Sequence, residues 1–284
     1  MNLRQNQKIL ITGATGLFGP YLVKAFSDLG EVIGLGRSTG TILCDLTEHD
    51  QANEVVSKIA PSLTIHCAAL TNVDACEASP DDADRQNHLA TANLVAALPK
   101  RSRLLFISTD QVYPDTVGPH KEGTESPVNE YGKSKLAGER EALNHGNAVA
   151  VRTNMFGPSL TQGRQSLSDF VIQNLSAKVP TTLFRDVLFS PLHFRTLAEY
   201  LRKLAVSDYV GACNLGSRDG ITKAEFGLAV AVQKKLSLEN ATIGHSTRLP
   251  GRAPRSHDLR MEVSRIEEIL AAQMPATLEE IRKL

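Results

Sequence analysis

Lys8-Ile9-Leu10-Ile11-Thr12 is a strand-sized apolar run that ends in Gly13-Ala14-Thr15-Gly16-Leu17-Phe18-Gly19. Beyond it Leu22, Val23 and Phe26 recur at helical spacing. Glycines alone mark a tight turn. Strand, glycine turn and helix together aim backbone N–H groups and a helix N-terminus at a pyrophosphate. The feature predicts an α/β chain that opens with a dinucleotide-binding unit.

Further strand-sized runs follow at the spacing of a repeated strand–helix unit: Glu31–Leu35, Thr41–Cys44, Leu63–Ala69, Arg103–Ile107 and Ala148–Val151. A helix is expected over 80–98, with Asp81 and Asp82 in its first turn, and another over 128–143, whose mixed charges also suit a solvent-facing helix. Glu31–Leu35 runs out into Gly36-Arg37-Ser38 with no acidic residue to accept from ribose hydroxyls. Arg37 can pair instead with a 2′-phosphate and Ser38 can add a hydrogen bond, which points to NADPH, with NADH as the alternative. Thr47 is read as a helix cap. Ala68 and Ala69 are small enough to let a cofactor pass close, and His66 in the same run reads as a core histidine.

Tyr131 and Lys135 stand four residues apart, one helical turn apart on one face. A lysine ammonium beside a phenol favours the phenolate, so Lys135 is expected to lower the Tyr131 pKa. That makes Tyr131 a general acid or base for alcohol/ketone interconversion. Arg103–Ile107 ends at Ser108-Thr109-Asp110-Gln111, and the Thr109 hydroxyl is placed to polarise a substrate carbonyl. Thr109, Tyr131 and Lys135 then form one constellation on the right elements in the right order.

Lys+Arg and Asp+Glu both number 31, so nothing suggests an electrostatic nucleic-acid binder. No stretch is long and apolar enough to span a bilayer, and no leader is recognisable. The four cysteines show no metal-ligand spacing and read as reduced thiols, so no metal is expected and the chain reads as cytoplasmic. Arg248, Arg252, Arg255 and Arg260 fall in a loop-like stretch with Pro250 and Pro254, suited either to a diphosphate or to solvent.

These pieces, with Cys44-Asp45-Leu46-Thr47, His66 to Glu77, Tyr131 to Glu139, Arg152-Thr153-Asn154 and, less closely, Arg255 to Met261, resemble the extended short-chain dehydrogenase/reductases. The greatest likeness is to the dTDP-4-dehydrorhamnose reductase family. The resemblance implies a Rossmann-type doubly wound parallel sheet with a small C-terminal α/β substrate domain. Residues 1–157, with a return segment near 181–206, would bind the dinucleotide, and 158–284 mainly the substrate. It implies hydride transfer from the nicotinamide to the 4-keto group of a nucleotide-diphosphate sugar, and a homodimer. Thr109 would orient the carbonyl, Tyr131 protonate the oxygen, and Lys135 tune Tyr131 and hold the nicotinamide ribose. Gly13, Thr15, Gly16, Leu17, Phe18, Gly19, Arg37, Ser38, Asp45, Leu46, Ala68 and Ala69 would line the cofactor. Asp45 would touch the adenine or else close a turn. Asn87 would support the active-site lysine, or else face solvent. Asp110, Gln111, Asn154, Met155, Arg252 and Arg255 would meet the sugar nucleotide.

Three departures fall where the sugar would sit. Gln111 stands where the family has tyrosine, an aromatic is missing near Met155, and a Gln-x-x-Gly-x-Pro-Thr segment is reduced to Ser190-Pro191-Leu192. A sugar-nucleotide dehydratase would need a glutamate after the aspartate, and Gln111 has no carboxylate to remove a proton. An epimerase, which usually prefers NAD, fits Arg37 poorly. A non-catalytic NADP-binding regulatory subunit is the remaining alternative, against which all three catalytic side chains are present.

Overall fold

The computed structural model describes residues 7–246 and 252–284. The first half supplies β1 (Lys8–Thr12), β2 (Glu31–Gly36), β3 (Ile42–Leu43), β4 (Leu63–His66), β5 (Arg103–Ile107) and β6 (Ala148–Arg152). Four short strands then leave the sheet: β7 (Met155–Phe156), β8 (Thr181–Phe184), β9 (Leu188–Phe189) and β10 (Leu192–His193). β11 (Gly211–Asn214) returns to it, and β12 (Ile221–Thr222), β13 (Ala241–Gly244) and β14 (Asp258–Leu259) follow. The central sheet runs β11-β6-β5-β4-β1-β2-β3 with every neighbouring pair parallel. This is the Rossmann-type doubly wound sheet. Its strand order reverses between β1 and β4, which opens a crevice at the carboxyl ends.

The helices are α1 (Gly19–Phe26), α2 (His49–Ile59), α3 (Val73–Ala78), α4 (Pro80–Asp84), α5 (Ala90–Ala97), α6 (Glu130–Asn144), α7 (Leu167–Ser176), α8 (Phe194–Val206), α9 (Lys223–Gln233), α10 (Ser264–Leu270) and α11 (Thr277–Ile281). Alternate strand residues feed opposite faces. Ile9 and Ile11 pack with Leu22 and Phe26 of α1 and Leu197 and Leu201 of α8. Leu10, Leu104 and Phe106 pack with Val56 of α2 and Leu94 of α5. β4, β5 and β6 are buried along their whole length, as a sheet covered on both faces requires. A third core, built on Phe156, Val171, Leu183, Phe189 and Phe226, sits under the small sheets β13-β8 and β12-β9-β14.

Several expectations shift. The return to the central sheet comes through α8 and β11, at 194–214, because Thr181–Phe184 pairs with β13 instead. β3 is two residues long rather than four. Thr47 caps no helix: α2 starts at His49, and the Thr47 hydroxyl donates to Asp45 Oδ1 at 2.8 Å. The 128–143 segment is not a solvent-facing helix, since α6 buries Tyr131, Ser134, Lys135, Leu136 and Glu139. The predicted 80–98 helix is α4 and α5 joined by a π-helical turn, Arg85–Leu89, the kind of irregularity that re-aims side chains. α6 lies against that turn at Gly138, where a Cβ would come within 2.3 Å of the Asn87 carbonyl.

The same turn anchors a buried chain to the crevice. Thr91 Oγ1 donates to the Asn87 carbonyl at 2.8 Å, so its oxygen accepts from His66 Nε2 at 3.0 Å. His66 Nδ1 therefore accepts from the Thr12 hydroxyl at 2.6 Å, and the Thr12 oxygen accepts from the Cys67 and Ala68 N–H groups at 3.2 and 3.1 Å. The chain fixes the end of β4 only while the imidazole is neutral. Burial, helped by the Lys135 charge, holds the His66 pKa down at about 3.

A pH dependence of stability follows. The unfolded ring takes a proton near pH 6.5 and the folded ring does not until about pH 3, so the unfolded state binds more protons between them. This contribution is complete above the unfolded pKa and is lost as pH falls through that window. His193, pushed to about 4 by burial, acts in the same direction, whereas Asp110, raised to about 6 by burial, offsets one proton below that pH. Each net proton is worth about 1.4 kcal/mol per pH unit. Urea midpoints should therefore fall between pH 6.5 and 5.5, and His66→Gln should flatten the slope by about one proton. An unaltered slope in His66→Gln would show that His66 carries none of it.

Candidate active site

The carboxyl ends of β1, β2, β4, β5 and β6 open into a cavity of about 590 Å³. It gathers the three catalytic candidates, the cofactor candidates other than Gly19, and Asp110, Gln111, Asn154, Met155, Arg252 and Arg255. Gly19 lies behind the wall, where a Cβ would sit 2.2 Å from the Ala14 carbonyl oxygen, so glycine there lets α1 start close under the turn.

One half of the cavity is a cradle for a dinucleotide. Gly13 has φ +68° and a Cβ there would be 2.8 Å from the Ala68 nitrogen, so turn and β4 touch only because the side chain is missing. α1 has no side-chain cap. Pro20 in its first turn carries no N–H and the Tyr21 N–H donates to the Phe18 carbonyl at 3.1 Å, so an anion at this end would meet the Gly19 N–H and the turn before it. Arg37, Ser38 and Thr39 border the cavity beyond β2, with the Thr39 hydroxyl on Thr15 Oγ1 at 2.9 Å and Arg37 Nη1 3.5 Å from Gln86 Oε1. Asp45 closes a turn, its Oδ1 accepting from the Thr47 N–H at 3.0 Å, while the residue also borders the cavity beside Leu46. The glycine cradle, the small Ala68 and Ala69, and the arginine at the end of β2 fit a phosphorylated dinucleotide.

The other half holds the reacting groups. Tyr131 and Lys135 sit one turn apart on α6, both buried. Asn129 starts that helix: its Oδ1 accepts from the Gly132 N–H at 2.8 Å and its Nδ2 donates to Gln111 Oε1 at 3.1 Å and to the Pro254 carbonyl at 3.0 Å. Lys135 Nζ donates to the Ile107 carbonyl at 2.8 Å and lies 4.1 Å from the centroid of the Phe106 ring. Burial brings its pKa down to about 8.

Tyr131 departs from expectation. Burial pushes its phenol above the ordinary tyrosine range, a hydrogen bond with Thr109 pulls it back in part, and Asp110 raises it further. The net direction is opposite to the lowering expected from Lys135, whose ammonium is held by the Ile107 carbonyl at the end of β5. A phenol held protonated is a proton donor, the role a ketone reduction requires. Asn87 also departs: it does not touch Lys135. Its amide donates to the Leu70 carbonyl and to Ser134 Oγ, both at 3.0 Å, and its oxygen accepts from the Leu70 N–H at 2.7 Å.

Asp110 is buried beside Thr109, accepts from Asn154 Nδ2 at 2.7 Å, and is raised to about 6 by burial. Met155 and Gln111 border the same end. Arg255 and Arg252 reach the cavity while pairing with Asp74 of α3 at 3.0 and 3.7 Å. Arg260 does not: it pairs with Asp258 at 2.6 Å and the Gly118 carbonyl at 3.2 Å. Arg248 and Pro250 lie outside the described residues. Two further cations, Arg164 and Lys223, border the cavity and were not singled out from the sequence. The only sequence signal near Lys223 was the Thr222/Glu225 capping box, which marks a helix start but not the direction it faces.

A family model described as "RmlD substrate binding domain" matches residues 7–284. The chain belongs to that family. It is 29% identical to the probable low-salt glycan biosynthesis reductase Agl14 of Haloferax volcanii, over 95% of this chain and 94% of that one. It is 28% identical to the methionine adenosyltransferase 2 subunit beta of Xenopus laevis, over 93% of this chain and 83% of that one. The fold superposes on the dTDP-4-dehydrorhamnose reductase of Bacillus anthracis in complex with NADP with a TM-score of 0.88, at 23% identity and covering 99% and 98% of the two chains. The RmlD-family match spans both the sheet and the C-terminal region, so both halves of the cavity fall within it. Among the described residues no cluster of His, Cys, Asp or Glu is placed to hold a metal, and no helix is long and apolar enough to cross a membrane.

Proposed function

We propose that this RmlD-family chain is an NADPH-preferring reductase that delivers hydride to the 4-keto group of a nucleotide-diphosphate deoxysugar. The observation that carries the reading is Thr109, Tyr131 and Lys135 converging at the carboxyl ends of the strands, beside the glycine cradle. The bound nicotinamide supplies the hydride. Thr109 donates to the substrate carbonyl oxygen and Tyr131, kept protonated by burial, gives that oxygen its proton. Lys135, held by the Ile107 carbonyl, is placed to hold the nicotinamide ribose. Asp110, Asn154, Gln111 and Met155 face the sugar, and Arg252 and Arg255 face its diphosphate. A cytoplasmic location and a homodimer go with this reading through the resemblance.

The test is NADPH consumption with a panel of nucleotide-linked 4-keto-6-deoxy sugars, with NADH in parallel. Turnover with one of them, faster with NADPH, is expected. The kinship with a methionine adenosyltransferase subunit keeps a second reading, a cofactor-binding regulatory subunit. Tight NADPH binding with no turnover on any sugar would favour it.

Arg37 should carry the cofactor preference. Hydrogen bonds to a charged group contribute about 1.5–3 kcal/mol, roughly 10- to 150-fold in affinity. Arg37→Ala should weaken NADPH by about that factor and NADH hardly at all. An equal loss for both would take the 2′-phosphate away from Arg37.

A further inference from the structure

We propose that Lys223 is a specificity-determining residue whose ammonium binds the phosphate next to the sugar and so sets the preference for diphosphate-linked substrates. This rests on the nucleotide-sugar reading above.

Lys223 is the first residue of α9, fixed by the capping box of Thr222 and Glu225 and by its own N–H on the Val187 carbonyl at 2.9 Å. Its side chain is half-buried and borders the cavity. Among the described residues its ammonium has no hydrogen-bond acceptor and no carboxylate within 4 Å. The acidic groups around it are engaged elsewhere. Asp110 accepts from Asn154, and Asp186 accepts from the Ser246 N–H and hydroxyl at 2.9 and 3.0 Å with His245 at 3.7 Å. Arg252 and Arg255 stand on the same side and share Asp74.

Burial and the fields of these two arginines lower the Lys223 pKa, against the opposing pull of Asp110 and Asp186. A lysine ammonium is a compact, strongly hydrated charge. Holding it half out of water among other cations is costly until an anion arrives, and a neutral sugar hydroxyl compensates it poorly. A diphosphate supplies two negative charges. It would also bridge the gap between the arginines and Lys223, which looks across to Asp110 and the reacting end. A sugar whose carbonyl meets Thr109 and Tyr131 would then carry its proximal phosphate to Lys223.

The test uses the full chain loaded with NADP⁺ and the diphosphates of thymidine, uridine, guanosine and cytidine as probes. Titration calorimetry at low and high salt compares wild type with Lys223→Met and Lys223→Arg, and melting curves check that each variant folds. Lys223→Met should weaken the preferred diphosphate about tenfold or more, flatten its salt dependence, and leave NADP⁺ affinity unchanged. Lys223→Arg should restore much of the loss. An unaltered diphosphate affinity in Lys223→Met, with wild type binding normally, overturns the assignment of Lys223. Wild type that binds NADP⁺ but none of the four diphosphates overturns the nucleotide-sugar reading, and the Lys223 inference with it.

Discussion

Tyr131→Phe should lower kcat by about 10²–10⁴-fold and leave NADPH affinity nearly unchanged. The argument begins with burial. The phenol is enclosed between α6, Cys76 and Ala83, and its pKa is raised well above the usual tyrosine value. At any working pH it is a neutral O–H group hydrogen-bonded with Thr109 at the border of the cavity. Phenylalanine keeps the ring, the packing and the helix, and removes only the proton. Without that proton the alkoxide formed by hydride addition has Thr109 alone to stabilise it. Cofactor affinity should survive, because the glycine turn, Arg37 and the Lys135 tether are separate from the hydroxyl. Single-turnover rates and NADPH titrations of both proteins decide it. Turnover near the wild-type rate would remove Tyr131 from the mechanism. Lys135 adds a marker: with its pKa near 8, loss of its charge should appear as a basic limb in kcat/KM near that pH, well below any limb from Tyr131.

Much of this arrangement was legible in the sequence because it rests on local patterns. The strand–glycine–helix unit, the strands β5 and β6 and the Tyr131/Lys135 spacing each follow from a period or a turn residue. The misreadings share a cause. Lys135 was expected to act on Tyr131 because spacing puts both on one face, yet spacing says nothing of where a flexible ammonium finds its acceptor. Asn87 was placed correctly on its helix, but a π-turn rotated it onto Leu70 and Ser134. The charges of α6 looked like a solvated face because the partners of Glu139 come from 13 residues onward and from another strand end. Lys223 and Arg260 were opaque for the same reason: one faces the cavity and the other a loop carbonyl, and only tertiary packing decides which.

The buried charges behind the reacting groups carry the other large effect. Arg152, at the end of β6, donates to both oxygens of Glu139 on α6, with Nε to Oε2 at 3.1 Å. It also donates to Glu125 and, at 3.0 Å, to the Tyr113 hydroxyl, which in turn donates to Asn214 Oδ1 at 2.5 Å on β11. Ser108, the neighbour of Thr109, donates to Glu139 Oε2 at 2.8 Å. Burial alone would lower the Arg152 pKa, but Glu139 outweighs it and keeps the guanidinium charged. Removing one partner of such a pair leaves an uncompensated buried charge, at about 3–5 kcal/mol. Arg152→Met should cost that much, a large part of a typical domain's stability of about 5–15 kcal/mol, because Glu139 is then left with the Ser108 hydroxyl alone. Glu139→Gln should cost less, since Arg152 keeps Glu125, which is near enough to water to share its charge. The double variant should recover part of the loss by making the orphan neutral. Urea midpoints at constant slope measure all three, and the cycle gives the coupling. Equal costs for the two single variants would mean that Glu125 gives no compensation and that Glu139 alone balances the guanidinium. The spread of partners over β5, β6, α6 and β11 makes this pair the joint that sets Thr109 against Tyr131. Arg152→Met should therefore lose more turnover than its fraction unfolded accounts for.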